Sequence, residues 1–65
     1  MKRIITRQYI IYFTWNDGEE DSIIEYSAKD RDSEIAKMLS RGDFSAISWA
    51  YMYADGEVGE LHKVL

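Results

Sequence analysis

The alternation of hydrophobic and polar positions first predicts a β-hairpin. Residues 4–15 are rich in Ile, Tyr, Phe, Thr and Trp, which is typical of a long β-strand. Asn16-Asp17-Gly18 follows, and these residue types tolerate the backbone of a tight turn. Residues 22–27 carry the next apolar positions and are predicted to return as a second strand, after a loop of about six residues.

A short amphipathic helix is predicted over residues 30–41. Ile35, Met38 and Leu39 have the i, i+3, i+4 spacing of one helical face. Gly42 then offers a left-handed stop. Because the segment is short, packing rather than intrinsic propensity has to stabilise it.

Three N-caps of this helix are consistent with its sequence. Asp30 or Asp32 can cap the N-terminus, where a carboxylate also suits the helix dipole. Alternatively, Ser27 caps the helix and forms a capping box with Asp30. In that case Ala28 joins the apolar face.

A second hairpin is predicted in the last third of the chain. Residues 47–53 read as the third strand and residues 58–64 as the fourth. Asp55-Gly56 between them suits a two-residue type I′ loop. Gly59 interrupts the fourth strand and is expected at a bulge or at a close approach of the chain.

These elements predict one α+β domain spanning residues 1–65, with the order β-β-α-β-β. The first strand is the longest and most apolar, so we place it in the centre of an antiparallel sheet. A right-handed crossover through the helix then sets the third strand beside it. The expected spatial order is 2-1-3-4, with the helix on one face; a sheet with the fourth strand at another edge is the alternative.

The two central strands are too apolar for a sheet that is covered on one face only. Such a sheet alternates apolar and polar residues, but residues 9–13 and 49–54 are apolar throughout. Period-2 geometry sends Tyr9, Ile11, Phe13 and Trp15 to one face and Ile10 and Tyr12 to the other. One short helix cannot cover both faces, so we expect an uncovered apolar face that associates with a partner or with a second copy.

The net charge of −4 is concentrated in one part of the chain. Residues 1–14 carry +3, residues 15–34 carry −6 and residues 35–65 carry −1. A nucleic-acid binder needs a basic footprint, which this chain lacks, so base stacking on its aromatic residues is not expected. A negative segment favours a basic protein partner instead.

The composition contains little that catalysis or metal binding requires. The absence of cysteine excludes disulfides, thiol nucleophiles and thiolate metal sites, and His62 is the single histidine. The carboxylates at 19–21 lack the ligand spacing of a calcium loop. We therefore predict no enzyme activity, no cofactor and no metal site. No signal peptide or membrane helix is visible, so a cytoplasmic protein is expected.

In size, acidity and its β-β-α-β core the chain resembles several small phage-encoded inhibitors. They include the uracil-DNA glycosylase inhibitors, some anti-CRISPR proteins and the short phage inhibitor of bacterial RNA polymerase. The residues that carry the resemblance are Asp17-Gly18-Glu19, Glu25-Tyr26 and Lys63-Val64-Leu65; the fourth strand departs from the shortest of these proteins. The resemblance implies a viral protein in the host cytoplasm that presents carboxylates where phosphates would sit.

Two hypotheses for function follow. The first is a non-enzymatic acidic protein that inhibits or modulates a nucleic-acid-handling protein by stoichiometric occlusion, as a DNA mimic does. The alternative is a small structural or regulatory protein whose open sheet face forms a homodimer. The predicted partner-binding residues are seven acids and four aromatics: Glu19, Glu20, Asp21, Glu25, Asp30, Asp32, Glu34, Tyr12, Trp49, Tyr51 and Tyr53.

Overall fold

The computed structural model describes residues 5–65, with side chains from residue 8 onward. Ile4 and the predicted basic group of Lys2, Arg3 and the Arg7 side chain lie outside this part. The described chain forms β1 (Ile5–Trp15), β2 (Glu20–Glu25), α1 (Ala28–Arg41), β3 (Phe44–Tyr53) and β4 (His62–Lys63). The strands form one antiparallel sheet of order β2-β1-β3-β4. The predicted α+β fold and strand order are confirmed.

The register of β1 decides which residues form the core. Ile11 lies opposite Ile23 on β2 and Trp49 on β3, and Phe13 lies opposite Ile47. Directly opposed residues share a face, so these side chains point to the same side, and α1 packs there. The core consists of the buried side chains Ile11, Phe13, Ile35, Met38, Phe44 and Ile47, with Trp15, Ile23 and Trp49 packed against it.

The helix begins at the earliest of the three predicted starts. Ser27 has an extended backbone, and its Oγ accepts a hydrogen bond from the Asp30 amide at 3.0 Å. The N-cap at Ser27 is therefore confirmed, and the starts at Asp30 and Asp32 are wrong. Gly42 ends α1 in the left-handed region, with φ of 71°, as predicted.

The apolar face of α1 is narrower than the sequence pattern indicates. Ile35 and Met38 are buried, whereas Leu39 is 46% exposed and Ala28 is also exposed. Leu39 is turned about 100° from Met38 around the helix axis. Ile35 and Met38 already fill the contact with the sheet, so the predicted core role of Leu39 is wrong.

Both hairpins use the same three-residue loop. The amide of Trp15 donates to the Glu19 carbonyl, and the amide of Gly18, with φ of 94°, donates to the Trp15 carbonyl. The segment 53–57 repeats both hydrogen bonds, with a glycine again at positive φ. The two-residue type I′ loop predicted at Asp55-Gly56 is wrong, because that turn needs two consecutive residues at positive φ and no described non-glycine residue has one.

Two strand boundaries differ from the prediction because of local contacts. The short first loop lets β2 begin at Glu20, two residues early, and end at Glu25. The third strand begins at Phe44, whose ring contacts those of Phe13 and Trp15 at centroid distances of 5.2 and 4.6 Å. These aromatic contacts hold Phe44 in the sheet, although the alternating pattern starts only at Ile47.

The fourth strand is much shorter than residues 58–64. Val58 makes an isolated bridge to Met52, and regular pairing resumes only at His62 and Lys63. Between them the chain packs tightly at Gly59, where a Cβ would lie 2.9 Å from the Tyr53 hydroxyl oxygen. The close approach predicted at Gly59 is confirmed, and the irregular backbone around it explains the short strand.

The helix covers only part of one side of the sheet. Its 14 residues span about 21 Å, and the 11 residues of β1 span about 36 Å. The other side, here called the open face, has no covering element among residues 5–65. Its residues are Gln8, Ile10, Tyr12 and Thr14 on β1, Ala46, Ser48, Ala50 and Met52 on β3, Glu20, Ser22 and Ile24 on β2, and Lys63 on β4.

Replacing Ile11 by alanine should destabilise the protein by about 2–5 kcal/mol, because the side chain is 0% exposed and leaves a cavity. A domain of this size has roughly 3–5 kcal/mol of core stabilisation in total, so we expect Ile11→Ala to be largely unfolded. The measurement is urea unfolding followed by circular dichroism.

The matched control is Ile24→Ala on the open face. Ile24 is 42% exposed. The free energy of unfolding of the Ile24→Ala variant should therefore be less than about 1 kcal/mol below that of the unmodified chain. Equal losses for the two variants would show that the core does not lie on the helix side of β1.

Candidate functional site

The first hairpin presents a group of carboxylates at one end of the molecule. This acidic tip consists of Asp17, Glu19, Glu20 and Asp21, on the loop and the start of β2. The loop is tied to the rest of the fold through Asn16. The backbone amide of Asn16 donates to the Asp43 carbonyl at 2.9 Å, and its side-chain Nδ2 donates to the Gly42 carbonyl at 3.0 Å.

The four carboxylates of the acidic tip have different partners. Asp17 accepts a hydrogen bond from the Glu19 amide at 3.0 Å, and Asp21 accepts one from the Ser22 amide at 2.8 Å. Both contacts are local: the first lies within the turn and the second within β2. All four residues are exposed, and none forms an ion pair within the described chain. Among the described residues the tip therefore presents carboxylates without an ion-pair partner, on a loop that backbone hydrogen bonds close.

The remaining predicted acids lie apart from the tip. Glu25 closes β2 about 17 Å along the strand from Glu20, and α1 carries the others. Asp32 is paired with Arg31 at 2.9 Å. Glu25 and Glu34 are half-buried, and Asp30 is exposed. The seven predicted acids therefore form two groups rather than one surface.

An aromatic cluster lies on the helix side of the sheet, next to the N-terminal end of α1. It consists of Tyr9, Trp49, Tyr51 and His62. The Tyr9 ring lies 5.9 Å from the Trp49 ring and 5.4 Å from the Tyr51 ring, between centroids. His62 stacks on the indole of Trp49 at 4.2 Å and 16°, and this stack was not predicted from the sequence.

Arg31 extends the cover that α1 provides. Its guanidinium carbon lies 4.1 Å from the centre of the Trp49 ring and 4.7 Å from that of Tyr9. His62 and Arg31 are too close to the indole to share one of its faces, so the indole lies between them. The Arg31 side chain is 14% exposed, which favours a substantial cation–π contribution.

The predicted aromatic anchors do not share one surface. Tyr12 is on the open face, as its alternation with Ile11 predicts. Trp49, Tyr51 and Tyr53 are on the helix side, because Trp49 lies opposite Ile11 and alternate residues of β3 follow it. The expectation that all four anchor a partner from an uncovered face is wrong in this respect.

The open face has a shallow depression beside Tyr12. The depression measures about 180 Å³, and the small side chains of Ala46 and Ser48 line it together with Thr14 and Glu20. Along β3 the open face carries alanine and serine at three successive positions. Along β1 it carries the larger Ile10 and Tyr12 directly opposite them.

The described residues contain no candidate metal cluster and no buried polar side chain. No group of three or more His, Asp or Glu side chains is placed to hold a metal ion in this part of the chain. No polar or charged side chain of this part is buried. Within residues 5–65, no helix has the length and apolarity needed to cross a bilayer.

Comparison with protein-family models, with curated proteins and with solved structures found no match to this chain. The resemblance to small phage inhibitors therefore stays a prediction. The surfaces described above are the basis for any assignment of function.

Replacing Arg31 by alanine should uncover one face of the Trp49 indole. In a Trp15→Phe background, which leaves Trp49 as the single tryptophan, acrylamide quenching of fluorescence should increase. The unfolding free energy should fall by about 1–2 kcal/mol, because the cation is largely desolvated.

Arg41 provides the control for Arg31. Its guanidinium carbon lies farther from its rings, at 5.6 Å from Trp15 and 5.7 Å from Phe44, and its side chain is 57% exposed. Arg41→Ala should leave the quenching of Trp49 unchanged. A similar increase in quenching for both variants would argue against the position assigned to Arg31.

Proposed function

We propose that this protein is a non-enzymatic binding protein that inhibits or modulates a nucleic-acid-handling protein. It occupies a basic surface that otherwise holds phosphate groups. The observation that carries the proposal is the acidic tip, where Glu19 and Glu20 are exposed without an ion-pair partner in the described chain. A carboxylate group of this kind complements Lys and Arg side chains.

The hydrogen bonding of the tip supports a role in recognition. Its loop is closed by backbone hydrogen bonds, and Asn16 ties it to the segment that joins α1 and β3. A loop that is ordered before binding loses little conformational entropy in the complex. Simple solubility would be served equally well by acids on a mobile loop.

The charge balance favours a protein partner over nucleic acid itself. The chain has a net charge of −4, and two of its arginines, Arg31 and Arg41, are engaged by neighbouring aspartates. Binding phosphates directly requires the release of counterions by many free cations. A basic partner gains from this charge pattern and meets the acidic tip by electrostatic steering.

The aromatic cluster is the best candidate for an apolar contact in such a complex. Trp49 and Tyr51 are half-buried, and tyrosine and tryptophan are common among residues that dominate binding energy. Arg31 and His62 hold the indole on both sides. Both faces of the indole are therefore occupied, and the cluster offers a partner the ring edge of Trp49 and the half-buried Tyr51.

Neutralising the tip with Glu19→Gln/Glu20→Gln should weaken the complex about tenfold, because two complementary charges are lost. The partner is captured from a nuclease-treated lysate of the natural host, at low and at high salt. Its binding to labelled DNA and RNA is then measured by mobility shift while the chain is added. The unmodified chain should displace the nucleic acid at about one equivalent, and less effectively at high salt.

The matched control is Glu57→Gln/Glu60→Gln, which removes the same charge at the second hairpin and the segment after it. It should displace the nucleic acid as well as the unmodified chain does. Equal losses in both variants would mean that only net charge matters. A captured protein that keeps its nucleic acid at any excess of the chain would refute the proposed function.

A further inference from the structure

We infer that the open face binds a second copy of this chain, with a two-fold axis that runs parallel to the strands between β1 and β3. This inference uses the surface opposite α1 and is independent of the acidic tip and of the proposed function.

The open face carries large side chains on one central strand and small ones on the other. Tyr12 on β1 lies directly opposite Ser48 on β3, and Ile10 lies opposite Ala50. The next pair along, Thr14 with Ala46, again has the larger residue on β1. Over these three rows the face therefore has a ridge along β1 and a groove along β3, and the groove ends at Met52, which lies opposite Gln8.

The order β2-β1-β3-β4 makes this face complementary to itself. A two-fold axis between the two central strands places β1 of one copy over β3 of the other and keeps each residue row in register. Tyr12 then lies over Ser48 of the second copy, and Thr14 over Ala46. Ala50 is 0% exposed within its own chain, so Ile10 of the second copy meets the side chains around Ala50. Sheets that pack face to face deviate from parallel by about 30°, which leaves these central rows in contact.

The other two-fold axis in the plane of the interface runs across the strands. It would place β1 over β1 and β3 over β3. The ridge of Ile10 and Tyr12 would then meet itself, and the groove would enclose a void. Large side chains packed on large ones hold the two sheets apart, and small side chains packed on small ones then lose van der Waals contacts. The axis that runs parallel to the strands is therefore favoured.

The depression on the open face has room for the ring that this arrangement brings to it. Its volume is about 180 Å³, and Ala46 and Ser48 contribute to its lining. A cavity of about 150 Å³ accommodates benzene. The depression is open to solvent and extends from Ser48 to Thr14 and Glu20, so it leaves space for part of the Tyr12 ring of the second copy.

The charges at the two sides of the face agree with the same axis. Glu20 is on β2 at one side and Lys63 is on β4 at the other. The axis between β1 and β3 places β2 of one copy over β4 of the other. Lys63 of one copy then faces Ser22 of the other, and Glu20 is the next residue of β2 on the same face. The rejected axis would place the acidic strand over itself.

The area of the face sets the expected strength of the dimer. Four strands spaced about 4.8 Å apart, over about seven residues, give a footprint of roughly 450 Å². Two copies bury about twice this value, which is near the lower limit for a specific interface. We therefore expect a dimer that dissociates at micromolar concentration rather than an obligate one.

Sedimentation equilibrium of the full chain tests the proposal, over concentrations from about 5 to 200 µM. The apparent mass should rise from the 7.6 kDa of one chain toward twice that value. A mass that stays at 7.6 kDa over the whole range would overturn the proposal and leave the face to a different partner.

Exchange of the facing residues tests the geometry itself. Ser48→Tyr puts two rings in contact and Tyr12→Ser empties the depression, so each should raise the dissociation constant about tenfold or more. The double variant Tyr12→Ser/Ser48→Tyr restores one large and one small residue at each contact, and its dissociation constant should return to within about threefold of the original.

Leu39→Ser is the matched control, since Leu39 is 46% exposed and lies on α1, on the other side of the sheet from the open face. It should leave dimerisation unchanged. Circular dichroism checks that each variant is folded; should Ser48→Tyr unfold, Tyr12→Arg replaces it and should yield a monomer. A folded double variant that remains monomeric, or single variants that dimerise like the original, would refute this arrangement.

Discussion

One fourteen-residue helix has to close the core of a four-stranded sheet, and this constraint determines the rest of the molecule. Only Ile35 and Met38 of α1 are buried. They cover Ile11, Phe13 and Ile47 at the centre of the sheet. The whole opposite face has no covering element among residues 5–65. The part of the helix side that extends past the first turn of α1 is not covered by the helix either.

Aromatic residues and one arginine cover apolar surface of the sheet beyond the two ends of α1. At the C-terminal end of α1, Trp15 and Phe44 close the core by ring contacts. At the N-terminal end, Arg31 lies over Trp49 and Tyr9, and its long aliphatic part covers apolar surface while its charge is held by Asp32. A larger helix would make these contacts unnecessary. Aromatics at 14% of the chain are therefore in large part a structural requirement of a very small core.

The elements and their order could be predicted from the sequence because the apolar periodicity of β1, α1 and β3 is strong. The side of each residue in β1 and β3 followed from alternation alone. Alternation does not predict which of the two sides the helix covers, because both sides carry apolar residues. For this reason Trp49 was assigned a role as a partner anchor, although the helix packs on its side of the sheet.

The boundaries depended on contacts that a linear pattern does not contain. Phe44 belongs to β3 through rings that are distant in sequence. Residues 58–61 have the composition of a strand, yet Gly59 packs against Tyr53 and interrupts the pairing. The acids of the candidate site were recognisable from composition. Their division between the tip and the start of α1 required the register of β2, and the stack of Arg31, Trp49 and His62 required the packed structure.

The two edges of the sheet bear on how such a protein can associate. An exposed edge strand invites pairing with another chain, and β2 is such an edge. It carries Glu20, Asp21 and Glu25, so pairing two copies through β2 would bring like charges together. At the other edge, β4 has only two residues and offers a short row of backbone groups. Both edges thus oppose extension of the sheet, and the surfaces left for association are its open face and the acidic and aromatic groups at its ends.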